Sequence, residues 1–202
     1  MIKATFYVPQ SLRGFLGSLG SAGRHNLFSA AAAAVCDLVR RHIAAEAPRR
    51  HFSASRLGAT PTGHLEKAAR KTVFHADATH GEVVIPAPGF GRAFHDVNIV
   101  PTNANYLTLP IDGRSYGRRV GELRALGWAF FTPAKGHDKE DILFGYRGKG
   151  KDKEVVPLYL LKKHVEQKQD RSLLPSDAEI GATATRAMMS EIYRVGRKAG
   201  LA

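Results

Sequence analysis

The stretch "DILFGYRGKGKDKEVVPLYLL" (residues 141–161) decides the fold, because two architectures compete for it. Gly145, four intervening residues, then Gly150 and Lys151 match G-x-x-x-x-G-K, the phosphate-binding loop, after which a Ser or Thr should come. Asp152 stands there instead. Such a loop needs a strand before it and a helix after it, since the helix N-terminus supplies the amides and the dipole that hold the anion. "DILF" is an acceptable strand. After Lys151 the chain reads "DKEVVPLYLL", where β-branched Val155 and Val156 and the interruption at Pro157 argue against a helix. Asp152 would also set a carboxylate beside the phosphates, where a hydroxyl should meet magnesium. Two strands joined by a Gly- and Lys-rich tip explain the same letters, with Pro157 at an edge or a bulge. The stretch reads as a hairpin, and no nucleotide, metal or other cofactor is expected.

The flanking sequence has the same texture. "TVFHA", "GEVVIP", "VNIVP", "NYLTLP" and "WAFFTP" are short, rich in β-branched and aromatic residues, and bounded by Gly, Pro, Asn and Asp, which predicts strands. "SYGRRVGELRAL" allows one brief basic helix. Upstream, "NLFSAAAAAVCDLVRRHIAAEAP" predicts a long helix, with Phe28, Ala32, Val35, Val39 and Ile43 on one face, Asn26 as N-cap and Pro48 as the stop. Cys36 lies beside that stripe and reads as a buried, inert thiol. A short helix comes next, with Thr62 as N-cap and Leu65 and Ala69 facing inward. At the other end Ser176 and Glu179 form an S-x-x-E capping box. It leads a helix with Ile180, Ala184, Ala187, Met188, Ile192 and Val195 on its apolar stripe. Helix, strands, helix, without regular β–α alternation, predicts an α+β fold: a mostly antiparallel small sheet flanked by an N-terminal and a C-terminal helix. The Gly- and Ser-rich stretch at 11–25 reads as a frayed helix or an arm that orders only on a partner. The expected organisation is an arm at 1–25 and a single domain over 26–202, with a basic hairpin protruding around 133–155.

At 202 residues the chain is long enough to bury a core without disulfides. A lone cysteine excludes a disulfide framework and a Cys-ligated metal cluster. The longest strongly apolar run, Ala30 to Cys36, is far short of the ~20 residues a membrane span needs, and the N-terminus has no signal-peptide pattern, so the expected place of synthesis and residence is the cytoplasm, with no membrane partner. The net charge of +12 is large for this size and suits an acidic partner surface, nucleic acid or a crowded assembly.

Charge is enriched in the N-terminal third and again in two later segments, around 114–124 and 147–153. The tip carries Arg147, Lys149, Lys151 and Lys153, which reads either as a solvated loop or as a finger touching an acidic protein or DNA phosphates. The stretch "GRSYGRRVGELR" sets Arg114, Arg118, Arg119 and Arg124 beside Tyr116. Arg and Tyr anchor protein interfaces, and no helix-turn-helix, zinc-finger or RNA-recognition signature accompanies them. An assembly surface is the first reading and a nucleic-acid groove the second. "FHD" (His95, Asp96) and "GHDKED" (His137, Asp138, Glu140, Asp141) are the nearest approaches to a metal or acid–base site, and neither has a ligand spacing. No nucleophile-elbow motif is present. No enzyme activity is expected.

Read in order, "RLGATPTGHLEKAARKT", "GFGRAFHDVNIVPTNANYLTLPIDGRSYGRR" and "LYLLKKHVEQKQDRSLLPSDAEI" resemble a phage family. The chain is similar, over roughly residues 50 to 195, to the virion morphogenesis, or tail-completion, proteins of Mu-like tailed phages and prophages. The most specific parts are "A-x-Y-L-T-L-P-I…S-Y-G-R-R" and "H-V-x-Q-K-x-D-R-x-L-L-P-S-D". The resemblance implies a structural role at the head–tail junction, as a tail terminator or neck ring subunit, in a six-fold or twelve-fold homo-oligomer. It implies connector and tail tube proteins as neighbours, non-specific DNA contact in the channel, and location in the virion after assembly in the host cytoplasm. The chain departs from the family at "RAFHDVNIVP", where relatives carry a Gly-rich hairpin, and residues 1–25 match nothing in it. A basic nucleic-acid-binding module is the alternative function.

Overall fold

The computed structural model describes residues 2–5, 17, 19–87, 90–134, 136, 139, 141–150 and 153–198. In chain order these form β1 (Ile2–Thr5), α1 (Ser21–Glu46), α2 (Phe52–Arg56), α3 (His64–Lys71), β2 (Val73–Ala76) and β3 (Gly81–Ile85). Next come β4 (Val97–Ile99), β5 (Leu107–Pro110), α4 (Val120–Ala125), β6 (Ala129–Phe131) and β7 (Ile142–Arg147). The order closes with β8 (Glu154–Lys162), β9 (Val165–Gln167) and α5 (Asp177–Lys198). Every strand pairing is antiparallel, and the strands fall into sheets of three, two and four strands. The fold is α+β. The sequence treats 26–202 as one domain, whereas the contacts divide the chain into two compact units. The first comprises 1–48, 63–95 and 169–202, and the second 49–62 and 96–168.

In the first unit α1 buries Phe28, Ala32, Val35, Val39 and Ile43, the stripe that the three- and four-residue spacing predicts, and Leu27, Ala31 and Cys36 besides. Ala31 and Ala32 are fully buried, and with Ala184 of α5 they share one core with Met188, so short side chains meet where the two helices pack. Helix α1 begins at Ser21, five residues before the predicted start at Asn26, with Gly20 at its cap and no side chain bonded there. Leu19, Leu27 and Phe28 all join the core, and their burial carries the extra turn through Gly23 despite its weak helix preference. Residues 2–5, within the predicted arm, form β1, paired along β3 from Ile2↔Ile85 to Thr5↔Glu82. Helix α3 is capped by Gly63 in the left-handed conformation rather than by Thr62. Its far end is closed by Arg40, whose Nε and Nη2 donate to the Thr72 carbonyl at 3.0 and 2.6 Å. Cys36 is buried, and burial pushes its thiol pKa up, as an inert core thiol requires.

The capping box at the start of α5 forms as predicted. The Ser176 N–H and hydroxyl both donate to Glu179 Oε2 at 2.8 Å, and the Glu179 N–H donates to Ser176 Oγ at 3.3 Å. These bonds hold the Glu179 carboxyl below its ordinary pKa. Ile180, Ala184 and Met188 are buried on the predicted stripe, while Val195, near the helix end, is 47% exposed.

The second unit is built on the four-stranded sheet, in the order β5-β8-β7-β6. One face packs Leu123, Trp128, Leu158 and Tyr159, with Val120, Phe130, Leu143 and Val156 against them. The choice between phosphate loop and hairpin is settled here. After the tip comes strand β8, not a helix. Gly145, the first glycine of the loop-like pattern, pairs with Phe130 and Val156 inside the sheet. A Cβ there would lie 2.3 Å from Leu158 Cδ1 and 3.1 Å from Trp128 Cε3, so this glycine makes room for core side chains and not for a phosphate. Pro157 sits in a central strand, beside a register irregularity between Leu143 and Phe144. Of the two alternatives for this proline, the bulge is the one realised.

Candidate functional site

The two basic segments meet in the second unit, at the end of the sheet where the β7–β8 hairpin turns. Arg147 and Glu154 are the last residue pair of the hairpin. From the loop after β5, Arg114 Nη2 reaches the Glu154 carboxylate at 2.9 Å, and its Nη1 lies 3.5 Å from Asp112. Glu154 thus ties the "GRSYGRR" loop to the base of the hairpin. Both partners are nearly half exposed, so the pair fixes geometry more than it adds stability.

The loop's position is set by its backbone. Ser115 is fully buried, and its hydroxyl lies 2.6 Å from the Leu158 carbonyl and 2.8 Å from the Asp112 carbonyl, one proton serving both. Gly113 passes so close to Leu57 that a Cβ would stand 2.5 Å from its carbonyl oxygen. The Tyr159 hydroxyl donates to the Arg118 carbonyl at 3.0 Å, and burial, with the nearby Glu122 charge, pushes that phenol's pKa up. The Arg119 N–H donates to Glu122 Oε2 at 3.0 Å, which caps α4. These bonds use main-chain atoms of Arg118 and Arg119 and leave both side chains exposed. Arg118 Nη1 makes one long bond, 3.4 Å, to the Arg114 carbonyl. Tyr116 is half-buried.

On the hairpin, the Arg147 guanidinium lies over the Trp128 ring, 5.6 Å from its centre, and the Lys153 ammonium over Tyr146 at 4.3 Å. Arg124 lies over Phe130 at 5.8 Å. Lys149 is exposed in the turn. Lys151 lies outside the described residues, as do His137, Asp138 and Glu140 of the "GHDKED" loop. The structure therefore brings Arg114 and Arg147 together at Glu154, with the exposed Arg118 and Arg119 on the same loop as Arg114, while Lys153 turns to the opposite face of the sheet over Tyr146. His95 and Asp96 are exposed, and Asp96 faces Lys168 at 3.9 Å. Among the described residues, no three His, Cys, Asp or Glu side chains are grouped to hold a metal. No described helix is long and apolar enough to cross a membrane.

Sequence reasoning passed over Glu154, Ser115 and Tyr159, which hold the basic loop in place. A lone Glu after a Lys-rich tip and a Ser between an Arg and a Tyr give no periodic signal. Their roles depend on partners 40 or more residues away, as the separations of 41 for Tyr159–Arg118 and 43 for Ser115–Leu158 show. Chemically, the arrangement offers fixed cations and aromatic rings on an exposed rim, suited to contact with an anionic surface. No family model, curated protein or solved structure matches the chain.

Proposed function

We propose that this chain is a structural virion protein of a tailed phage, acting at the head–tail junction as a tail-completion or neck ring subunit around the DNA channel. The observation that carries the reading is an overlap. The stretch "NYLTLPIDGRSYGRR" (105–119), among the most specific carriers of the resemblance, is also the loop whose Arg114 is tied to the hairpin base at Glu154. A residue pattern that sets a loop on a sheet, with two arginines left exposed, fits a contact surface better than a reaction centre. A cyclic ring needs two different patches on each protomer, and the basic rim supplies one of them. Complementary charge then fixes the register of neighbours, whether copies of this chain, the connector or the tail tube.

Reversing both charges, with Arg118→Glu and Arg119→Glu together, tests this reading. The fold persists, because the structural bonds at these positions use main-chain atoms. Assembled particles are lost. Particles that form normally with the double variant contradict the reading. The net charge of +12 also favours a second one, a basic nucleic-acid-binding module. Tight duplex or single-strand binding by the monomer, falling steeply with salt, is its mark.

A further inference from the structure

The four-stranded sheet has a second face, turned away from Leu158 and Trp128. Its rows are set by the register. Phe131, Phe144 and Pro157 stand opposite one another across three strands, and beside them Ala129, Tyr146 and Val155. Past the bulge, Leu109, Leu160 and Ile142 make a third row. Phe131 is 41% exposed and Val155 47%, so this apolar face is open to solvent. No Asp or Glu occupies an outward strand position of this sheet among the described residues. Cations stand at its two ends. Lys153 lies over the Tyr146 ring at the tip, and Lys162 stands opposite Leu107 at the far end of β8. At strand spacing the two lysines are roughly 30 Å apart. An open apolar face of this kind marks an interaction site.

We infer that this face docks a protein segment with an apolar centre and carboxylates at both ends. The charges choose among the occupants. A second copy laid face to face would set an ammonium against an ammonium in either orientation, Lys153 on Lys162 or each lysine on its own counterpart. Single-stranded nucleic acid would need ring faces free for base stacking. Here Phe131 and Phe144 stack on each other, with centroids 5.5 Å apart and planes 18° apart, and Lys153 covers a face of Tyr146. Aliphatic Val155, Leu160 and Ile142 fill the remaining surface, which suits apolar side chains and not bases. Ring edges carry partial positive charge and, with the two lysines, favour a partner rich in carboxylates. The rows of this face include neither Arg118 nor Arg119, and the inference stands or falls without the phage reading.

The test is a titration of the full chain with a short peptide that has a Leu/Phe centre and glutamates at both ends. A counterpart with lysines at both ends and an oligo-dT of similar length run beside it. The glutamate-ended peptide should bind at least about tenfold more tightly than the lysine-ended one, and Phe131→Ser and Lys153→Glu should each weaken it about tenfold. Lys153 is exposed, so its variant keeps the test valid if Phe131→Ser folds poorly. Equal binding of the two peptides, no binding of either, or no effect of Lys153→Glu overturns the inference. So does oligo-dT binding that Phe131→Ser removes, which would make the face a nucleic-acid platform. Self-association that Phe131→Ser abolishes would make a second copy the occupant and would overturn it equally.

Discussion

The two units treat their apolar residues differently. In the first, helix α1 packs against both α5 and β3, and Val35, Val39, Ile43, Ile85 and Met188 are all buried in one core. In the second, the buried core is Leu123, Trp128, Leu158 and Tyr159, while a comparably apolar outer face stays open. The basic residues that sequence analysis singled out all lie in the second unit. Stability is concentrated where side chains are enclosed, and contact chemistry where they are not. The first unit is a scaffold by this measure, and the second carries the surfaces.

Substitutions can break that contrast. The largest effect is expected for Ile43→Ala, which removes fully buried methyl groups from α1 and should cost about 2–5 kcal/mol in chemical denaturation. Phe131→Ser in the second unit should cost about 1 kcal/mol or less, because the ring is already 41% exposed. Equal losses would show that the outer face is structural, and the contrast would fail. Next comes Gly145→Ala, which crowds Leu158 and Trp128 and should cost about 1–3 kcal/mol. A neutral outcome would mean that the Leu158 side chain can move aside. If nucleotide binding disappeared with that substitution, the hairpin assignment itself would be wrong.

A smaller effect is expected at the α5 cap. Ser176→Ala removes a side-chain cap and should cost about 1 kcal/mol at neutral pH. The carboxyl of Glu179 has a lowered pKa in the fold, so its contribution is present above the ordinary carboxylate pKa and is lost as pH falls through the folded value. Stability measured from neutral to acid pH should therefore fall less steeply in Ser176→Ala than in the parent. Parallel curves would mean that the Ser176 hydroxyl bond does not lower the Glu179 pKa. The smallest effect on stability, within about 0.5 kcal/mol, is expected for the double reversal at Arg118 and Arg119. A large loss there would show that the two side chains hold the fold and would remove them as contact residues.

The features legible in the sequence were local. The stripe of α1, the Ser176–Glu179 box and the strand segments from "TVFHA" to "VVPLYLL" each carry their period or their cap within a few residues. The hidden features depend on distant partners. Strand β1 has only four residues and is defined by β3, some 80 positions later. The two units interleave along the chain, so no linker composition announces the division. At the candidate site the arginines were visible as a charge cluster. Their coupling through Glu154 was not, and neither was the outer face, because its rows alternate across three strands that only pairing brings side by side. Gly145 is the sharpest case. Its letter fitted a phosphate loop, and only the Leu158 and Trp128 side chains packed against it explain why a glycine is there.

The most direct test of the central claim is electron microscopy of particles from a phage or prophage lacking this one gene. Full heads lying apart from finished or overlong tails are expected. Normal infectious virions would contradict the claim, and the nucleic-acid-binding reading of this basic chain would then lead.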